Sequence, residues 1–208
     1  MTIKALFLNG SLKTREETSN TESLMNEVIT HFEKENVQSE TIRLADYNIK
    51  FGISEDEGEG DEWPLILEKI KTADILVIGT PLWIGEKSSI TTLAMERIYG
   101  GSSLTNEKGQ SVYYNKVAGV VVTGNEDGAK HAASSVLYGL THCGFTIPPN
   151  VDTYWVGEAG PGASYIEAEG YKNDFTMQHA KTMAYNLVHF ARILKENPIP
   201  AEGNLIES

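Results

Sequence analysis

Cysteine is almost missing from this chain. The single Cys143 among 208 residues has no partner for an internal disulfide and cannot alone build a cysteine-ligated metal or iron–sulfur centre. Basic residues are scarce as well. The 17 Lys and Arg against 29 Asp and Glu leave a formal charge of −12, which argues against nucleic acid and acidic membrane surfaces as partners, since both require a basic face. No apolar run approaches the roughly 20 residues that cross a bilayer, and no secretory signal is visible. Together these absences predict a soluble, cytoplasmic protein without a resident metal. Two nucleotide motifs are also missing: the chain has no GxxxxGK followed by Ser or Thr, and no GxGxxG, which excludes a Walker-type triphosphatase and a dinucleotide-type turn.

What is present is an alternation of apolar strands and amphipathic helices in a chain long enough for one α/β domain, read as a single domain over residues 1–208. Residues 3–8 form a nearly continuous apolar run closed by Asn9 and Gly10, the pattern of a strand buried on both faces. Leu24, Met25, Val28, Ile29 and Phe32 then recur at helix spacing, with Ser19, Asn20 or Thr21 placed to cap the start. A strand, a loop rich in hydroxyls and a helix N-terminus can hold phosphate, because unpaired amides and the helix dipole point at one spot. Locally, an ordinary turn with a Ser/Thr cap fits equally well.

Residues 39–44 are the second strand, less apolar and therefore nearer an edge. The acidic stretch 54–62 is read as a solvated loop; it lacks the DxDxDG spacing of a calcium site. Pro64 opens a helix through Trp63, Ile66, Leu67 and Ile70, and residues 75–78 are the clearest strand. It delivers an apolar loop, residues 81–85, at the position where α/β folds place their ligands. A helix through Ile90, Leu93, Ala94 and Ile98 leads to a polar excursion over 102–115. The strand 117–122 opens into the polar loop 123–128, and a helix through Ala129, Ala132, Val136 and Leu140 follows. Phe145, Thr146 and Ile147 are predicted as the last strand, cut short by Pro148 and Pro149, before an irregular aromatic stretch, a final helix ending near Leu194 and a tail over 197–208.

This alternation implies a doubly wound, parallel five-stranded sheet in the order 2-1-3-4-5, with helices on both faces. The ligand crevice then lies between the first and third strands, where three loops converge: 10–21, 81–85 and 123–128. The first offers phosphate chemistry, the second a flat apolar surface with Trp83, the third amides and hydroxyls. FMN has a phosphate at one end and a broad ring at the other, and fits all three.

The stretches GSLKTREETSNT, GTPLWIGEKSSITTLAMER, VVTGNEDGAKHA and YWVGEAGPGASY resemble the NADPH-dependent FMN reductase family of flavodoxin-like flavoproteins. Glu96 and Arg97 occupy the family's acid and Trp/Arg place, whereas Ser88 and Ser89 stand where members often carry Pro and Gly. By resemblance, Ser11, Lys13, Ser19, Asn20 and Thr21 hold the FMN phosphate. Pro81, Leu82, Trp83, Ile84 and Gly85 line the ring, and Thr123, Gly124, Asn125 and Gly128 lie on its other side. The activity implied is hydride transfer from NADPH or NADH through flavin to a small electron acceptor such as a quinone, an azo compound or free flavin. No catalytic acid or base and no metal is assigned, although Glu126, Asp127 and His131 are placed near the pocket. Tyr154, Trp155 and Tyr165 are candidates for a lid. The resemblance also implies a homodimer, with 154–165 and 102–114 as its candidate surface. The alternative function is a flavodoxin-like electron carrier without its own nicotinamide site.

Overall fold

The structure is a computed structural model and describes residues 2–206. The chain runs β1 (Lys4–Asn9), α1 (Asn20–Lys34), β2 (Gln38–Arg43), α2 (Trp63–Thr72), β3 (Ile75–Trp83), β4 (Glu86–Lys87), α3 (Ser89–Gly100), β5 (Val117–Gly124), α4 (Ala129–Cys143), β6 (Asp152–Val156) and α5 (Asp174–Glu196). The sheet order is β2-β1-β3-β5-β6, with every one of these pairings parallel, and β4 folds back on β3 as a short antiparallel hairpin. The five long strands therefore take the expected 2-1-3-4-5 order. Because successive side chains point to opposite faces, Ala5 and Phe7 enter a core layer with α1 and α5, while Leu6 and Leu8 enter the other with α2, α3 and α4.

The last strand is not where the sequence predicts it. Thr146 makes only an isolated parallel bridge to Val117, and the chain pairs with β5 in earnest at Asp152–Val156. Pro148 and Pro149 have no N–H to give a ladder, so the segment cannot continue as a strand through them. The shift has a functional result: β6 ends opposite Gly124, and the residues after it arrive at the same edge of the sheet as the three loops.

The acidic stretch is not simply solvated either. Asp61 and Arg97 form an ion pair at 2.7 Å with both side chains fully shielded. Arg97 also donates to the carbonyls of Lys50 and Ser54 and lies over the Trp63 ring. Asp61 accepts from the amides of Lys50, Glu57 and Trp63. Burial alone would raise the Asp61 carboxyl, but these donors hold it well below the usual carboxylate range.

The C-terminal residues dock on the 102–115 excursion: the Ile199 amide donates to Asn115, Gln110 donates to the carbonyls of Ile199 and Pro200, and the Ile206 amide donates to Gly109. That excursion feeds the N-terminal end of β5, whereas 154–165 leaves the opposite end of β6. The two candidate dimer segments thus lie at opposite ends of the sheet.

Candidate functional site

The loop after β1 is held by its own polar atoms. Asn9, fully buried, accepts from the Ser11 amide and donates toward Ser19, while Ser11 Oγ accepts from the Lys13 amide. Ser19 caps α1 by accepting from the Glu22 amide. The amides of Asn20 and Thr21, in the first turn, have no carbonyl one turn back to reach. Asn20 and Thr21 line the same cleft as Ser11, Lys13 and Thr18. Gly10 sits so tightly that a Cβ there would lie 1.9 Å from Thr91 Oγ1. Ser88 caps α3 and donates to the Gly10 carbonyl at 2.6 Å, so the serine at the family's proline position ties the second segment to the first.

One residue of this framework was missed by sequence reasoning. Arg43, 5% exposed at the end of β2, donates to the carbonyls of Lys13, Thr14 and Glu17 and pairs with Glu22. Its guanidinium satisfies carbonyls that turn inward and so fixes the loop's path. Arg15 is drawn away from the cleft by Asp46, through its amide and its side chain. Lys13 is therefore the cation left to line the cleft. Replacing Arg43 by Ala is expected to cost about 2 kcal/mol of stability and to weaken binding of a phosphate ester by about tenfold or more. Urea unfolding and a ligand titration measure the two effects.

The second and third loops meet across the cleft. Pro81, Leu82 and Trp83 line it at the end of β3, opposite Thr123, Gly124 and Asn125 at the end of β5. Thr21 and Thr123 share a buried hydroxyl contact of 2.8 Å, joining the start of α1 to the third loop. Trp83 remains 54% exposed while lining the cleft, so it is accessible to a ligand there. Gly124 has Leu82 against it, 2.5 Å from where a Cβ would stand.

A strap from 157 to 166 forms the outer wall. Its Gly157 amide donates to Gly124, Asn125 Nδ2 donates to the carbonyls of Glu158 and Ala163, and the Ile166 amide donates to Asn20 Oδ1. Trp155 and Tyr165 meet edge to face with ring centroids 5.6 Å apart, and both line the cleft. Tyr154 points to the other side of the sheet, against Phe175 and Lys130. Two of the three aromatic lid candidates thus belong to the cleft. Gly160, Gly162 and Ser164 also line it, which no local pattern announces.

The result is a cleft of about 500 Å³, within the usual range for small-molecule sites of about 300–1,000 Å³. Of the residues read from the sequence, Ser11, Lys13, Ser19, Asn20, Thr21, Pro81, Leu82, Trp83, Thr123, Gly124 and Asn125 line it. Ile84, Gly85 and Gly128 stand beside it. Gly128 abuts the Gly85 backbone, and Ile84 is 91% exposed. Glu126 lines the cleft, while His131 is engaged outside it with Glu86 at 2.6 Å. Ser11, Lys13, Ser19, Asn20 and Thr21 gather polar groups at one end of the cleft and Pro81, Leu82 and Trp83 form an apolar shelf at the other, a lining that fits a ligand such as FMN.

The model of the NADPH-dependent FMN reductase family matches residues 3–159. The chain belongs to that family. FMN and a reduced nicotinamide are the family's cofactors. The chain is 38% identical to the 8-demethyl-8-aminoriboflavin-5'-phosphate synthase of Streptomyces davaonensis, over 95% of this chain and 80% of that protein. A crystal structure of RosB with bound 8-demethyl-8-formylriboflavin-5'-phosphate superposes with a TM-score of 0.88 at 37% identity, covering 95% of this chain and 82% of that one. The chain is also 43% identical, over 93% of its length, to the divalent metal cation transporter MntH of Mycobacterium bovis, of which it spans only 29%. Among the described residues, no helix is long and apolar enough to cross a membrane, and no group of three or more His, Cys, Asp or Glu is placed to hold a metal.

Proposed function

We propose that this FMN reductase family member binds FMN in the cleft and moves hydride from NADPH or NADH through the flavin to a small acceptor: a quinone, an azo compound or a second flavin. The observation that carries this reading is the convergence of a helix N-terminus rich in hydroxyls, an apolar shelf and a polar loop on one cleft. When bound, the flavin supplies the hydride chemistry. The protein's part is to bind and orient. The amides of Asn20 and Thr21, the hydroxyls of Ser11 and Ser19, and Lys13 meet the phosphate. Pro81, Leu82 and Trp83 support one side of the ring, and Thr123, Gly124 and Asn125 present polar groups to the other. Trp155 and Tyr165 keep water from the inner wall. Burial pushes the Tyr165 hydroxyl up, so it stays protonated there.

Purified protein is expected to show the flavin absorption bands, or to acquire them on addition of FMN. It should bind FMN about 100-fold more tightly than riboflavin, a difference of about 2.7 kcal/mol carried by the phosphate end. Anaerobic addition of NADPH or NADH should bleach the band. Failure of FMN to bind overturns the reading; a flavin that binds and is bleached by neither nucleotide leaves the electron-carrier alternative.

The similarity to RosB favours a second reading, in which a riboflavin 5'-phosphate is the reactant rather than a resident cofactor. Incubating the protein with FMN and analysing the released flavin separates the two, since an altered ring in the product supports the second and unchanged FMN after turnover supports the first.

A further inference from the structure

We propose that Glu126 is a positioning residue: it pins a strained turn, Ile84–Gly85, and through it the Trp83 shelf of the cleft. This inference rests on the flavin reading above for the identity of the ring.

The β3–β4 hairpin pairs Leu82 with Lys87 and Trp83 with Glu86, which leaves a two-residue loop. Both of its residues have positive φ, 49° at Ile84 and 78° at Gly85. Hairpins of this length favour such turns because their twist matches that of the strands, and they favour Asn-Gly, since a positive φ is costly for most side chains. A β-branched residue is the outlier at the first position. Ile84 gains nothing by burial in return, being 91% exposed. A residue in an unfavoured backbone conformation persists only where its surroundings over-determine it.

Two contacts do so here. Glu126 Oε1 accepts from the Ile84 amide at 2.6 Å. That N–H is the group a tight turn points outward, and a carboxylate acceptor makes the bond a strong one. From the other side, Gly128, with φ of 117°, brings its backbone against Gly85, so that a Cβ at 128 would stand 2.5 Å from the Gly85 carbonyl. Trp83, the residue before the turn, lines the cleft, and so does Glu126. The carboxylate thus fixes where Trp83 stands relative to the third loop. Without that acceptor, Ile84 is free to leave the left-handed region and take Trp83 with it.

The test is a double-mutant cycle with FMN as the probe. Glu126→Ala is expected to weaken FMN binding about tenfold, or about 1.4 kcal/mol, while Glu126→Gln, which keeps an acceptor oxygen, stays within about threefold of the parent. Ile84→Asn creates the favoured Asn-Gly turn, so in that background Glu126→Ala should cost less than about threefold. In the flavin-free protein, amide exchange at Ile84 should quicken about tenfold or more in Glu126→Ala and remain slow in Glu126→Gln. An undiminished loss in the Ile84→Asn background, or unchanged exchange at Ile84, overturns the proposal. If the parent itself binds no FMN, the flavin reading fails, and the exchange measurement still decides whether Glu126 pins the turn.

Discussion

Asp61→Ala will destabilise the protein by about 3–5 kcal/mol, because it leaves the Arg97 guanidinium buried without its counter-charge. Both side chains are fully shielded, and Asp61 also serves three amides that hold the 50–63 segment in place. Asp61→Asn should cost less, since its carbonyl oxygen can still accept from part of that set. Asp61→Leu combined with Arg97→Met should recover only the part of the loss that comes from the uncompensated charge, because the amides of Lys50, Glu57 and Trp63 and the carbonyls of Lys50 and Ser54 still lack their partners. Urea unfolding of the single and double variants closes the cycle; strictly additive single effects would show that the pair is not coupled. The same contacts set an acid limit. Asp61 is held below its ordinary value of 3.8, so the unfolded chain takes up its proton first. The stabilisation is present in full above that value and fades as pH falls below it toward the folded-state value. Unfolding midpoints measured from pH 5 down to pH 2 should therefore fall more steeply for the parent than for the Leu/Met double variant.

Gly128→Ala is the second large effect, about 3 kcal/mol of stability with a loss of flavin binding. A methyl there would stand 2.5 Å from the Gly85 carbonyl oxygen and 2.6 Å from its Cα, and φ at 128 is 117°. The colliding atoms are backbone, so no rotamer change relieves the contact. Either the N-terminus of α4 or the hairpin turn must move, and both movements shift the walls of the cleft. Gly85→Ala is the internal control. Its φ is also positive, but the nearest atom to a new Cβ is 3.6 Å away, so only the conformational cost of about 1 kcal/mol applies. Equal losses in the two variants would show that backbone conformation, rather than the contact between loops, governs this corner.

Both effects bear on what could be read before any coordinates. Apolar periodicity placed α1, and Ser19 does cap it, because the 3.6-residue repeat and the cap are properties of neighbours in the chain. The clear apolar runs placed β1, β3 and β5, and the parallel alternation then required the crevice to lie between β1 and β3. The final strand lies several residues beyond the segment that composition predicts. Thr146 and Ile147 have strand-like composition, but two prolines deny them a ladder, and Asp152–Val156 becomes a strand by pairing with a β5 already in place. Asp61 looked like one acid among several in a solvated run. Its burial is set by an arginine 36 residues away.

The same division runs through the site. The sequence alone identified the flavodoxin-like order of elements, the family and the three loops, because strands, helix caps and motif stretches are local. It also identified most of the residues that line the cleft, since parallel strands carry their C-terminal loops to one edge wherever the rest of the chain goes. Tertiary structure decided which side chains face that cleft and which brace it. Arg43 takes the loop carbonyls 26 to 30 residues earlier, Glu126 reaches the Ile84 amide 42 positions away, and Asn20 and Asn125 turn out to hold the strap. A carboxylate or a guanidinium at a strand end is equally at home in water or in a contact. Only the three-dimensional meeting of distant backbone groups, each needing a hydrogen-bond partner once it leaves water, selects between the two.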